Sequence, residues 1–195
     1  MSTPKNLAAK TLAVVAAVLI SLTACKVNVN KDEEKKQVDI RTPVGGIHVS
    51  KGVDVRDFGV AVYPGARPKQ ESDGNKGANV HFSSPYFGLK VAVQEFESDD
   101  PAEKLVRFYA EQLRKYGKVI ECHGEWKDGN PPVTIEHGKD KRSHDLTCDK
   151  DSSGNAIELK AGTDENQHIV AIEPQARGCK FALVRVELRG EGDTI

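Results

Sequence analysis

Two segments of this chain, VDIRTPVGGIHV (38–49) and VHFSSPYFGLKV (80–91), align without a gap. Val38/Val80, Ile40/Phe82, Pro43/Pro85, Gly46/Gly88, Ile47/Leu89 and Val49/Val91 fall in register, and Thr42 and Ser84 place a hydroxyl at the same point. Alternating apolar residues on both sides of the centre have the period of a half-buried strand. The hydroxyl, the Pro and the Gly between them supply turn chemistry. Each copy is therefore expected to be a β-hairpin, and two copies stack as neighbours in one sheet rather than forming a solenoid, which needs three or more repeats. The copies differ at the tip, Val44-Gly45 in the first and Tyr86-Phe87 in the second. An exposed aromatic pair at a tip is a candidate partner contact, so Tyr86 and Phe87 are assigned that role.

The helical signal is confined to one segment. Asp100 is expected to cap, Pro101 to take the first helical position and Glu103 to complete a capping box. Ala102, Leu105, Val106, Tyr109, Leu113 and Tyr116 then recur on one stripe, and Gly117 closes the element. Strands are expected at Val60–Val62 before a Pro64-Gly65 turn, at 89–97, 118–122, 145–148, 156–161, 168–173 and 181–189. In the last of these, Ala182, Val184, Val186 and Leu188 face the core while Arg185, Glu187 and Arg189 face out. Strands, one helix, then more strands give an α+β class: a mostly antiparallel sheet of β-hairpins with one amphipathic helix packed on it. Residues 38–57 carry the first hairpin, 58–190 the α+β domain with a polar loop at 70–77, and 191–195 a tail.

Tyr63-Pro64-Gly65-Ala66, followed by Asp100-Pro101 and by Phe108-Tyr109, Leu113 and Tyr116-Gly117, resembles uncharacterised secreted bacterial proteins that carry a Tyr-Pro-Gly-Ala turn ahead of an Asp-Pro helix. The resemblance spans roughly residues 58–122. It implies a small extracytoplasmic α+β domain and carries no catalytic residue with it.

The first 24 residues have a basic start with Lys5 and Lys10, an apolar segment from Leu12 to Ile20, and the small-residue stretch Ser21-Leu22-Thr23-Ala24. That is the order of a secretory signal. The apolar segment is about half of the roughly 20 residues that a membrane-spanning helix needs. Leu22-Thr23-Ala24-Cys25 resembles the lipobox of bacterial lipoproteins. The resemblance implies a diacylglycerol thioether on Cys25 and a further acyl chain, such as palmitate, on its amine. With Lys26 rather than Asp after the cysteine, it also implies the outer membrane, facing the periplasm. Residues 25–37 are then the lipidated N-terminus and a polar tether.

Removing residues 1–24 takes Lys+Arg from 28 to 26 against 29 acids, a formal charge of −3. Without a basic excess, a nucleic-acid partner is not expected. The expected partners are the membrane, through the lipid, and an envelope protein or glycan.

Of the remaining thiols, Cys122 and Cys148 each end a short β-like run, so they are the expected disulfide in an oxidising compartment. Cys179 is left as a buried thiol or an intermolecular partner. No cofactor is expected. Zinc or copper would find ligands in His123, His137 and His144, but no pair has the tight spacing of a preformed site. Asp149-Lys150-Asp151-Ser152-Ser153-Gly154 resembles the front of a calcium loop, with Asp149 and Asp151 as oxygen donors, yet its twelfth position is Lys160 instead of an acid. Neither Ser83-Ser84 nor Ser152-Ser153 lies in a nucleophile elbow. The expectation is a non-catalytic binding or envelope-organising module. The alternative is a metal- or calcium-dependent periplasmic protein, such as a hydrolase, using residues 122–158.

Overall fold

The computed structural model describes residues 26–30, 37–50, 52–71, 74–75, 77–127, 130–135, 145–148 and 154–189. Among the described residues there are twelve strands: β1 (Lys26–Asn30), β2 (Gln37–Thr42), β3 (Gly45–Ser50), β4 (Arg67–Pro68), β5 (Gln70–Glu71), β6 (Gly74–Asn75), β7 (Gly77–Ser83), β8 (Gly88–Ser98), β9 (Ile120–Gly124), β10 (Ala156–Thr163), β11 (Asn166–Pro174) and β12 (Cys179–Arg189). Helix α1 (Ala102–Leu113) stands between β8 and β9. The main sheet runs β1-β2-β3-β7-β8-β12-β11-β10-β9, with β4 on β8, and every pairing is antiparallel. The architecture is the expected α+β class.

Both repeated segments are hairpins, and their turns are built alike. Thr42 Oγ1 donates to Gly45 O at 2.9 Å and accepts from Val44 N at 3.3 Å. Ser84 Oγ donates to Phe87 O at 2.9 Å and accepts from Tyr86 N at 3.3 Å. The hydroxyl thus satisfies the same two turn groups in each copy. The hairpins lie side by side through β3 and β7, with Gly46, Ile47, His48 and Val49 opposite Ser83, Phe82, His81 and Val80. At Gly45, with φ +152°, an added Cβ would sit 2.5 Å from Ser83 O. The close approach of the second hairpin therefore excludes a side chain where the second copy carries Phe87.

Helix α1 lays Ala102, Leu105, Tyr109 and Leu113 on β10 and β11. Beneath them are Phe96, Leu159, Val170, Ile172, Phe181 and Leu183. The other face of the sheet has its own apolar layer of Ile169, Ala171, Ala182, Val184 and Val186, covered by Trp126 and Val133 from the segment after β9. Strand β12 is consequently buried on both faces.

Several local expectations are revised. Lys26–Asn30, expected as the start of a tether, pairs with β2 as an edge strand, because Val27 falls opposite Ile40 and continues an apolar row. Val60–Val62 is irregular, and its turn closes through Ala66 N donating to Tyr63 O at 3.0 Å. The polar loop at 70–77 contains the small β5–β6 hairpin. Pro101 is the N-cap of α1 and no side chain caps it. Asp100 instead accepts from Tyr63 Oη at 2.9 Å and from Lys104 Nζ at 2.6 Å. Gly117 closes a 3-10 turn, Arg114–Tyr116, that extends α1. Residues 145–148 form no strand. Arg185 and Glu187 are partly buried on the helix side of β12, where they join a polar network.

Candidate functional site

Residues directly opposite one another across antiparallel strands share a face. Asn28, Asp39, His48, His81, Lys90 and Glu187 are successive partners from β1 to β12, so they form one polar row across the sheet. The rows flanking it, Val38-Val49-Val80-Val91 and Ile40-Ile47-Phe82-Leu89, point to the opposite face. Each hairpin therefore places polar strand positions on one side, and stacking the hairpins aligns Asp39 and His48 with His81 and Lys90.

At the β2–β3–β7 end this row opens into a cleft of about 610 Å³. Asp39, Arg41, His48, His81, Ser83 and Ser84 are among its lining residues. Asp39 Oδ1 lies 2.7 Å from His48 Nδ1, and its other oxygen accepts from Gln37 Nε2 at 3.0 Å. The bond from His48 holds the Asp39 carboxyl below its ordinary range. Asp39 thereby fixes the His48 ring, while Arg41 and His81 stand exposed beside it. The arrangement offers imidazole, guanidinium and hydroxyl groups to a polar ligand. Among the described residues no group of three His, Cys, Asp or Glu side chains is placed to hold a metal.

Toward α1 the same face closes over a second polar network. Asp57, on the 3-10 turn Val55–Phe58, accepts from Lys90 Nζ and from Asn79 Nδ2, both at 3.4 Å. Beyond it, Arg185 Nη2 donates to Glu187 at 2.8 Å and Arg185 Nη1 bonds His168 Nε2. His168 Nδ1 lies 3.0 Å from Phe58 O, and the ring stacks on Tyr116 with centroids 3.4 Å apart. Burial, reinforced by the Arg185 charge, pushes the His168 pKa down to about 4. A neutral imidazole with its proton on Nδ1 satisfies both neighbours, donating to the Phe58 carbonyl and accepting from Arg185.

No protein-family model, curated protein or solved structure matches this chain.

The residues singled out in the sequence are dispersed. Tyr86 is exposed at its hairpin tip, whereas Phe87 folds back onto Phe82 with centroids 6.0 Å apart. Cys122 and Cys148 form a disulfide. That pairing removes both thiolates from any metal site and ties residues 145–148 to β9. Cys179 is a buried thiol whose pKa burial raises to about 11, so it is chemically quiet. His123 is exposed on β9, 3.7 Å from Glu121. Cys25, His137, His144, Asp149 and Asp151 lie outside the described residues. Lys160 is fully buried in β10, 3.4 Å from Glu158 Oε2, and donates to Thr134 O and Thr147 O at 3.3 Å each. Its ammonium pins two irregular segments onto the sheet.

Sequence reasoning passed over Asp39, His48, His81 and His168. The first three had a usable signal: they occupy alternate positions between the apolar residues of the two repeats. His168 had none, because it occupies an ordinary strand position that only tertiary packing places under Tyr116.

Proposed function

We propose that this protein is a lipid-anchored extracytoplasmic binding module, held at Cys25 to the periplasmic side of the outer membrane, that engages an envelope protein or glycan. The lipobox-like Leu22-Thr23-Ala24-Cys25 and the secretory signal ahead of it support the anchor. The cleft over β2, β3 and β7 supports the binding role and is the observation that carries it. Asp39, His48, Thr42 and Ser84 in it are held by neighbouring side chains and turn backbone, a preorganisation that lowers the ordering cost of binding. Sugar hydroxyls and anionic groups are the chemistry that imidazoles, Ser83 and Arg41 engage.

Two measurements test this. Fractionation and intact-mass analysis of the full chain against Cys25→Ser should show an acyl-mass increment and membrane recovery only for the former. A photoreactive side chain placed at His81 in intact cells should form an adduct that is lost with His48→Ala and Arg41→Ala. The same probe at Glu111, on the exposed side of α1, should form none. Equal adducts at both positions would remove the cleft from the proposal while leaving the anchor standing.

A further inference from the structure

The register of β1 places one corner of the sheet next to the anchor. Lys26 is opposite Arg41, one residue before Thr42 enters the first hairpin turn, and Gly46 is opposite Ser83, one residue before the second turn. The start of β1 and the tips of both hairpins therefore occupy the same end of the sheet. That end is apolar in an unusual way. Among the described residues six large hydrophobics are exposed, and four of them are here: Val27 at 62%, Val44 at 74%, Ile47 at 37% and Tyr86 at 69%. Lys26 and Arg41, opposite each other in register, stand exposed at the same end, on the cleft side of the sheet, while Val27 and Ile47 point to the other side.

We infer that this corner, made of Val27, Val44, Ile47 and Tyr86 with Lys26 and Arg41, rests on the phospholipid surface and sets how the protein stands on its membrane. The inference rests on the anchor proposed above. Cys25 is one peptide unit from Lys26, about 3.8 Å between Cα atoms. An acyl chain on Cys25 leaves this corner no distance to move away from the bilayer. A strand that begins at Lys26 also removes the slack a tether would have supplied. Apolar side chains at the acyl boundary, a tyrosine at headgroup depth and cations beside anionic lipid suit such a surface. The cleft at Asp39, His48 and His81 then opens beside the headgroups, with α1 on the same sheet face but farther along it.

The test uses the mature acylated protein in vesicles of phosphatidylethanolamine and phosphatidylglycerol. Variants V44C, Y86C and E111C each carry one environment-sensitive fluorophore. Lipids brominated near the headgroup should quench the probes at 44 and 86 and leave the probe at 111 unchanged. Protein that stays with the vesicles but shows no quenching at 44 and 86 overturns the contact and leaves the anchor intact. Protein that carries no acyl mass and does not stay with the vesicles overturns the anchor, and the contact with it. A blue shift at 44 and 86 that grows with protein density and is insensitive to bromination identifies a second copy as the occupant and overturns the lipid contact.

Discussion

The hydroxyl of Tyr109, on the buried stripe of α1, accepts a hydrogen bond from the backbone N–H of Tyr63 at 3.0 Å. Tyr63 in turn donates its own hydroxyl to Asp100 at the foot of the helix and packs edge-on against Phe108, with centroids 5.2 Å apart. The Tyr-Pro-Gly-Ala turn and the Asp-Pro helix are thus two halves of one lock. Tyr63-Pro64-Gly65-Ala66 and Asp100-Pro101 together mark how the helix is fastened to the turn. Tyr109→Phe leaves the Tyr63 N–H without its acceptor and should cost about 1–3 kcal/mol in urea unfolding. Tyr63→Phe loses only a partly exposed bond and should cost under about 1 kcal/mol.

Stability should fall with acid through His168. Its folded pKa of about 4 lies below the ordinary 6.5, so the unfolded chain binds the proton first as pH drops. The contribution is fully present above pH 6.5 and is lost progressively down to about pH 4. The expected total loss is about 3 kcal/mol, at 1.36 kcal/mol per unit of pKa. Denaturant unfolding at several pH values measures the slope. His168→Phe should be less stable at neutral pH and should lack this acid-dependent portion.

The Cys122–Cys148 disulfide closes a loop spanning a sequence separation of 26. Replacing both cysteines by Ala should remove about 3 kcal/mol, chiefly by freeing the unfolded chain. The fall in thermal midpoint should be reproduced in the unaltered protein by reductant, and reductant should leave the double variant unmoved.

Lys160 and Glu158 form an ion pair away from water beside the same segment. Lys160→Met strips the cation from a buried carboxylate and should cost about 3–5 kcal/mol. Adding Glu158→Gln to that variant should recover part of the loss, and a double-mutant cycle on unfolding free energies measures the coupling.

Gly45 and Gly46 are adjacent glycines with different tolerances. An alanine at 45 would meet Ser83 O and adopt a positive φ, whereas at 46 the nearest atom, Ile40 O, is at an ordinary 3.5 Å. Gly45→Ala should destabilise by about 1–3 kcal/mol. Gly46→Ala should stay within about 1 kcal/mol of the parent in the same thermal scan.

The hairpins, their hydroxyl-bearing turns and the helix were legible because each is encoded by contacts a few residues apart. The β1 strand was not: KVNVN followed by a charged run has the composition of a solvated segment, and only the free edge of β2 gives it a partner. Arg185 and Glu187 read as outward residues because alternation in β12 separates two faces without telling whether the second is covered. The cleft was half legible, since the repeats place Asp39 and His48 on one side of the first hairpin and His81 and Lys90 on one side of the second.

Local spacing therefore determined which residues share a face, and it did so because side chains in a strand alternate with period two whatever lies beside them. The tertiary structure alone decided which faces meet. The pairing of β3 with β7 joined two polar half-rows into one cleft, and the packing of Tyr116 over β11 buried His168 as a neutral ring. The start of β1 beside both hairpin tips is likewise a matter of register between strands, set by long-range apolar matching that no short window of sequence contains.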